Sequence, residues 1–134
     1  MRLLVFGSRT FSDKEFMFKV LDNFPEWGPS PHVVIEGEAH GADSLAREWA
    51  ESRHILVVKY PADWAQHGRA AGPIRNRQML VDGKPDHGIG FIDKPLQDSR
   101  GTKNMHDQLI RAGVPVLIHY SAPLSEVPRK VTGL

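Results

Sequence analysis

Leu3-Leu4-Val5-Phe6-Gly7-Ser8-Arg9 is the stretch that decides the fold. Four apolar residues run without alternation, as in a strand covered on both faces, and Gly7 stops the run in a turn. Four further runs read the same way: residues 33–35, 54–58, 87–92 (broken by Gly88 and Gly90) and 114–118. Helical spacing fills the intervals. Ser12 and Glu15 form a capping box ahead of a helix with Phe16, Val20, Leu21 and Phe24 on one face. Leu45, Ala46, Trp49 and Ala50 line a second helix opening at Gly41. Pro73 sits in the first turn of a third, which runs to about Val81. A fourth spans residues 102–112, with Met105, Leu109 and Ile110 inside and Gly113 as its stop. Alternating buried strands and helices predict an α/β fold whose parallel sheet is flanked by helices, with right-handed crossovers. Residues 1–118 are expected to form the domain, and residues 119–134 a Pro-containing tail packed on it or extending from it.

The chain has 134 residues, enough for one domain with its own core. It contains no cysteine, which excludes disulfides, thiolate catalysis and Cys-based zinc sites and fits a reducing, cytoplasmic compartment. Lys plus Arg number 17 against 16 Asp plus Glu. That balance argues against bulk attraction to nucleic acid or to an anionic membrane. No apolar run is long enough to span a bilayer, so no membrane partner is expected. The seven histidines show no HxxxH or HExxH spacing, and no metal site is expected.

Parallel sheets of this kind bind ligands beyond the carboxyl ends of their strands. The loop after the first strand offers Gly7 for close backbone approach, with Ser8, Arg9 and Thr10 suited to phosphate; a plain strand-to-helix turn reads equally well. In the second loop Gly37 and Gly41 flank a connection whose amides can form an anion nest. Asp43 suits ribose hydroxyls or serves as a helix-start carboxylate, and His40 reads as a solvated loop residue. In the third helix Arg75 and Asn76 lie one turn before Met79 and Leu80, so they point inward and need a partner: a ligand anion, or a sheet-end carboxylate such as Glu36. Trp64 stacks on a base or covers the domain's own core. Gly101 and Thr102 begin the fourth helix, as an anion site or an ordinary cap.

In order and spacing these motifs resemble the SLOG superfamily, and most of all its small YspA-type, YpsA-related branch of bacteria and bacteriophages. The residues that carry the likeness are Gly7-Ser8-Arg9-Thr10-Phe11, Gly41-Ala42-Asp43-Ser44-Leu45-Ala46 with Trp49-Ala50, Tyr60-Pro61-Ala62-Asp63-Trp64, Ala71-Gly72-Pro73-Ile74-Arg75-Asn76 with Met79-Leu80, and Gly101-Thr102. The resemblance implies a Rossmann-like three-layer sandwich with a mainly parallel five-stranded sheet. It also implies a nucleotide or ADP-ribose-like ligand. The LOG phosphoribohydrolases of the same superfamily cleave nucleoside monophosphates, using an Arg in an R-K-x-x-M run and a Glu in P-G-G-x-G-T-x-x-E. Here Arg75 and Met79 fit the first run with Asn76 in place of Lys, whereas Met105 replaces the Glu. A methionine cannot stabilise an oxocarbenium-like transition state. Glu38, standing where related loops carry a glycine, and Asp43 are the remaining candidate acids, and Arg75 the candidate phosphate holder.

Three functions follow as expectations. The preferred one is a binding module that senses or sequesters a small-molecule nucleotide ligand. The alternative is a hydrolase acting on an N-glycosidic or phosphoester bond. The third is a nucleic-acid or protein-interaction domain using Arg69, Arg75, Arg77, Arg129 and Lys130, against whose nucleic-acid form the near-neutral charge argues. Related domains dimerise through helices, which leaves room for a homodimer.

Overall fold

A computed structural model describes residues 1–26 and 28–122. Residues 123–134 of the expected tail, with Arg129 and Lys130, lie outside the described residues. The elements run β1 (Arg2–Gly7), α1 (Lys14–Asp22), β2 (Val33–Glu36), α2 (Ala42–Ser52), β3 (Leu56–Lys59), α3 (Trp64–His67), α4 (Ala71–Val81), β4 (His87–Ile92), α5 (Arg100–Arg111) and β5 (Val116–Tyr120). Short 3-10 turns at Gly68–Ala70 and Leu96–Asp98 precede α4 and α5. All five strands are parallel, in the order β3-β2-β1-β4-β5. This is the Rossmann-like arrangement, with α1 and α2 on one face and α4 and α5 on the other.

Strand alternation divides the core in two. Leu3, Val5, Val34, Ile89 and Phe91 face α1 and α2, where they meet Met17, Leu21, Ala46 and Trp49. Leu4, Phe6 and Ile35 face α4 and α5, where they meet Met79, Met105 and Leu109. The glycines in β4 make room for this packing. A Cβ on Gly90 would come within 2.7 Å of Ile118 and 2.9 Å of the Phe6 ring.

Several element bounds differ from the sequence expectation. Asp13, not Ser12, caps α1, its carboxylate accepting the Phe16 N–H at 3.2 Å; aspartate is at least as good a cap as serine. Phe24 lies beyond the end of α1 and packs edge-on against His87. Sequence spacing marks no helix between β3 and the one opening near Pro73, yet that segment contains α3, which is capped by Asp63 onto Gln66 N. The α5 helix begins two residues before Thr102, and Ile110 is 56% exposed because it lies a helical step round from buried Leu109. The β5 strand runs through His119 and Tyr120, which pair with Phe91 and Ile92.

The crossing of β1 into α1 and β2 into α2 is tied at one point. The Ser8 carbonyl accepts from both Phe11 N and Ala42 N, and Gly41 approaches it closely. Gly41 has φ +73°, and a Cβ there would lie 2.3 Å from the Ser8 oxygen. Gly41→Ala is expected to lower stability by about 1–3 kcal/mol in urea unfolding; an unchanged midpoint would contradict this account of the tie.

Candidate functional site

Strand order reverses direction between β1 and β4, and a cavity of about 480 Å³ opens there at the carboxyl edge of the sheet. Its walls come from the end of β1, the loops that follow β1, β2 and β4, and the starts of α2, α4 and α5. Of the residues singled out from sequence, Gly7, Arg9, Thr10, Asp43, Trp64, Arg75, Asn76, Gly101 and Thr102 all line it.

The wall is built from one chain of hydrogen bonds. Arg75 and Asn76 enter from the first half of α4, buried as the helical spacing predicts. Arg75 Nη1 donates to the Gly37 carbonyl, and Nε donates to Asn76 Oδ1 at 3.0 Å. Asn76 Nδ2 donates to the Gly101 carbonyl at 3.2 Å and to Asn104 Oδ1 at 3.1 Å. The loop after β2, the start of α4 and the start of α5 are thereby fixed relative to one another. Asp43 completes the frame. Its Oδ2 accepts the Gly37 N–H at 3.1 Å and the Ala39 N–H at 3.2 Å, so its carboxylate organises the preceding loop rather than capping its own helix.

The electrostatics follow from burial. Arg75 is 9% exposed, and loss of hydration lowers its pKa, with Asp43 opposing the shift. Burial raises the Asp43 pKa against the two amide bonds and Arg75. Glu36 lies behind this frame. Burial first, and the Asp43 charge second, push its pKa up to about 7. It is not the partner of Arg75: its Oε2 has only Arg47 Nε at 3.7 Å, while Oε1 accepts from Glu38 N.

Other residues fall elsewhere. Ser8 is buried, its hydroxyl accepting from Asp93 N at 3.3 Å, and it does not line the cavity; nor does Gly41. Thr10 Oγ1 donates to Asp93 Oδ2 at 2.7 Å. Trp64 does not cover the core. It is 48% exposed, with the Arg9 guanidinium 5.2 Å from its ring centroid. Gly37, Glu38 and His40 line a smaller chamber of about 340 Å³ beside the cavity. Sequence reasoning missed Lys94 and Arg100 as cavity residues, and it named Arg69 only as part of a basic cluster. Among the described residues no cluster of His, Asp and Glu is suited to a metal ion, and no helix is long and apolar enough to cross a membrane.

Fold and site together define a Rossmann-like α/β domain with a cation-rich cleft at its topological switch point. The model of the YspA, cpYpsA-related SLOG family matches residues 1–67, and the chain belongs to that family. Membership gives a nucleotide-related function in general terms. The Gene 61 protein of Mycobacterium phage D29 is 34% identical over 121 residues, covering 87% of this chain and 94% of that protein, which fits a phage or bacterial setting. No solved structure matches the chain. The family match ends before α4, so Arg75, Asn76 and the start of α5 join the site through geometry.

Glu36 also sets a pH dependence. It keeps its proton to about pH 7 in the folded chain, against an ordinary value of 4.5. Between those values the folded state binds the extra proton, so stability falls as pH rises through the window, by up to roughly 3 kcal/mol. The raised Asp43 acts in the same direction. Urea unfolding from pH 4.5 to 7.5 is expected to show this decline in the wild type and a shallower one in Glu36→Gln; parallel profiles would contradict the assignment.

Proposed function

We propose that this domain binds a nucleotide or ADP-ribose-like ligand through its phosphate and ribose groups, as a sensor or sequestering module. One observation carries the reading. Arg9, Arg69, Arg75, Lys94 and Arg100 line one concave cavity with only Asp43 and Asp98 as carboxylates, and among the described residues none of the five is in a salt bridge. Unpaired cations converging on a cleft favour a multiply charged anion. The uncapped start of α5, at Ser99 to Thr102, adds backbone amides in the same wall. Asp43 suits ribose hydroxyls.

Hydrolysis is the second reading, and Asp43 favours it as a cavity carboxylate with a raised pKa. Against it, Asp43 Oδ2 is already bound by two backbone amides. Met105, at the position of the LOG glutamate, is buried in the core beneath α5. Binding without turnover therefore stands first.

Lys94 and Arg100 are exposed and lie outside the hydrogen-bonded frame, so the Lys94→Ala/Arg100→Ala double variant tests binding without removing Arg75. Thermal unfolding with AMP, ADP, NAD, ADP-ribose and ribose 5-phosphate is the measurement. A ligand at about 100 times its Kd adds roughly 2.7 kcal/mol and moves the midpoint by several degrees. The double variant is expected to bind the same ligand at least about tenfold more weakly. No shift with any of the five would overturn the proposal. Chromatography of the mixtures is expected to return intact ligand; released ribose 5-phosphate, lost in Asp43→Asn, would establish the hydrolase instead.

A further inference from the structure

The cavity does not end at Arg9. Beyond the Arg9–Trp64 pair lies the smaller chamber formed by residues 37–40 with Pro61 and Ala62. Four residues line both spaces: Arg9, Ala39, Trp64 and Arg75. Two cations therefore stand at the junction. Arg75 is nine-tenths buried there, with Nε and Nη1 held by Asn76 and Gly37 and no protein partner for Nη2 among the described residues. A phosphate is best placed between these two guanidiniums.

The two sides of the junction differ in chemistry. The main cavity adds three further cations, Arg69, Lys94 and Arg100. The chamber adds no cation beyond the shared pair, but it does contain the exposed carboxylate of Glu38 and the imidazole of His40. A carboxylate repels a terminal phosphate but accepts hydrogen bonds from hydroxyl groups. Glu38 is also held at φ +56°, a left-handed conformation costly for a residue with a Cβ, while its N–H is engaged by Glu36 Oε1. Strain of this kind concentrates at ligand sites.

We propose that the two spaces form one bipartite site for a two-ended ligand: a diphosphate that joins a nucleoside, in the main cavity, to an uncharged hydroxyl-bearing group, in the Glu38 chamber. The phosphate at the junction is internal to the ligand, not its end. This rests on the phosphate-binding reading above and narrows it, since it excludes simple nucleotides as the preferred ligand.

Titration calorimetry with two matched pairs of probes tests it: ADP against ADP-ribose, and UDP against UDP-glucose. The wild type is expected to prefer the two-ended member of at least one pair by tenfold or more. Glu38→Ala, which removes the carboxylate, is expected to reduce that preference below threefold. Glu38→Gly, which suits the left-handed backbone, serves as a second variant in case the alanine protein folds poorly. Equal affinity within both pairs in the wild type would overturn the bipartite site while leaving phosphate binding intact. A preference that survives both substitutions would overturn the Glu38 chamber as the second subsite. Failure of all four probes to bind would overturn the underlying reading, and the bipartite site with it.

Discussion

Arg75 is a cation that the fold removes from bulk water without a salt bridge to compensate it. No carboxylate among the described residues lies within salt-bridge distance of it. A backbone carbonyl and an asparagine amide oxygen hold it instead, and the carbonyl belongs to a loop that must be in place first. Much of the site's architecture follows from satisfying this group. Asp43 shapes the loop that presents the Gly37 carbonyl, and Asn76 reaches across to fix the start of α5. A buried charge that is hydrogen-bonded but not neutralised leaves electrostatic capacity for an anionic ligand.

The same arrangement separates binding from chemistry. The carboxylates nearest the frame are committed to structure. Asp43 holds two amides, Glu36 is buried behind the frame, and Asp93 secures Thr10. The helix that could have projected an acid into the cavity buries Met105 in the core instead. The result is a cleft in which five cations outnumber two carboxylates, Asp43 and Asp98. That balance supports the proposed role in recognising a phosphate-bearing molecule.

The parts of this site legible in the sequence are those governed by local spacing. Arg75 and Asn76 could be placed inward because Met79 and Leu80 lie one turn further on, and Gly7 marked the end of the first strand. Their partners were not legible. Arg75 bonds a carbonyl, which leaves no side-chain signature, and the alternative of Glu36 was the natural but incorrect partner. Lys94 and Arg100 carry no sequence signal as cavity residues, and Arg69 none beyond its place in a basic cluster, because their approach to the cavity depends on the β3-β2-β1-β4-β5 order, which no local pattern encodes. The α3 helix was missed although Asp63 and Gln66 have capping-box spacing; at four residues it is too short to show periodicity. Ser12 gave way to Asp13 because two adjacent good caps compete and tertiary contact decides. The Ser121 hydroxyl donates to the same Asp13 side chain at 2.6 Å.

The proposed site for a phosphate-bearing ligand is the cleft between β1 and β4. Amide chemical shifts of the ¹⁵N-labelled protein, followed during titration with ADP-ribose, test it most directly. The largest changes are expected on the amides of Gly7, Ala39, Gly101 and Thr102 and on the Trp64 indole. Saturable binding whose changes map instead to the α1–β5 side of the sheet, or no change at all, would contradict it.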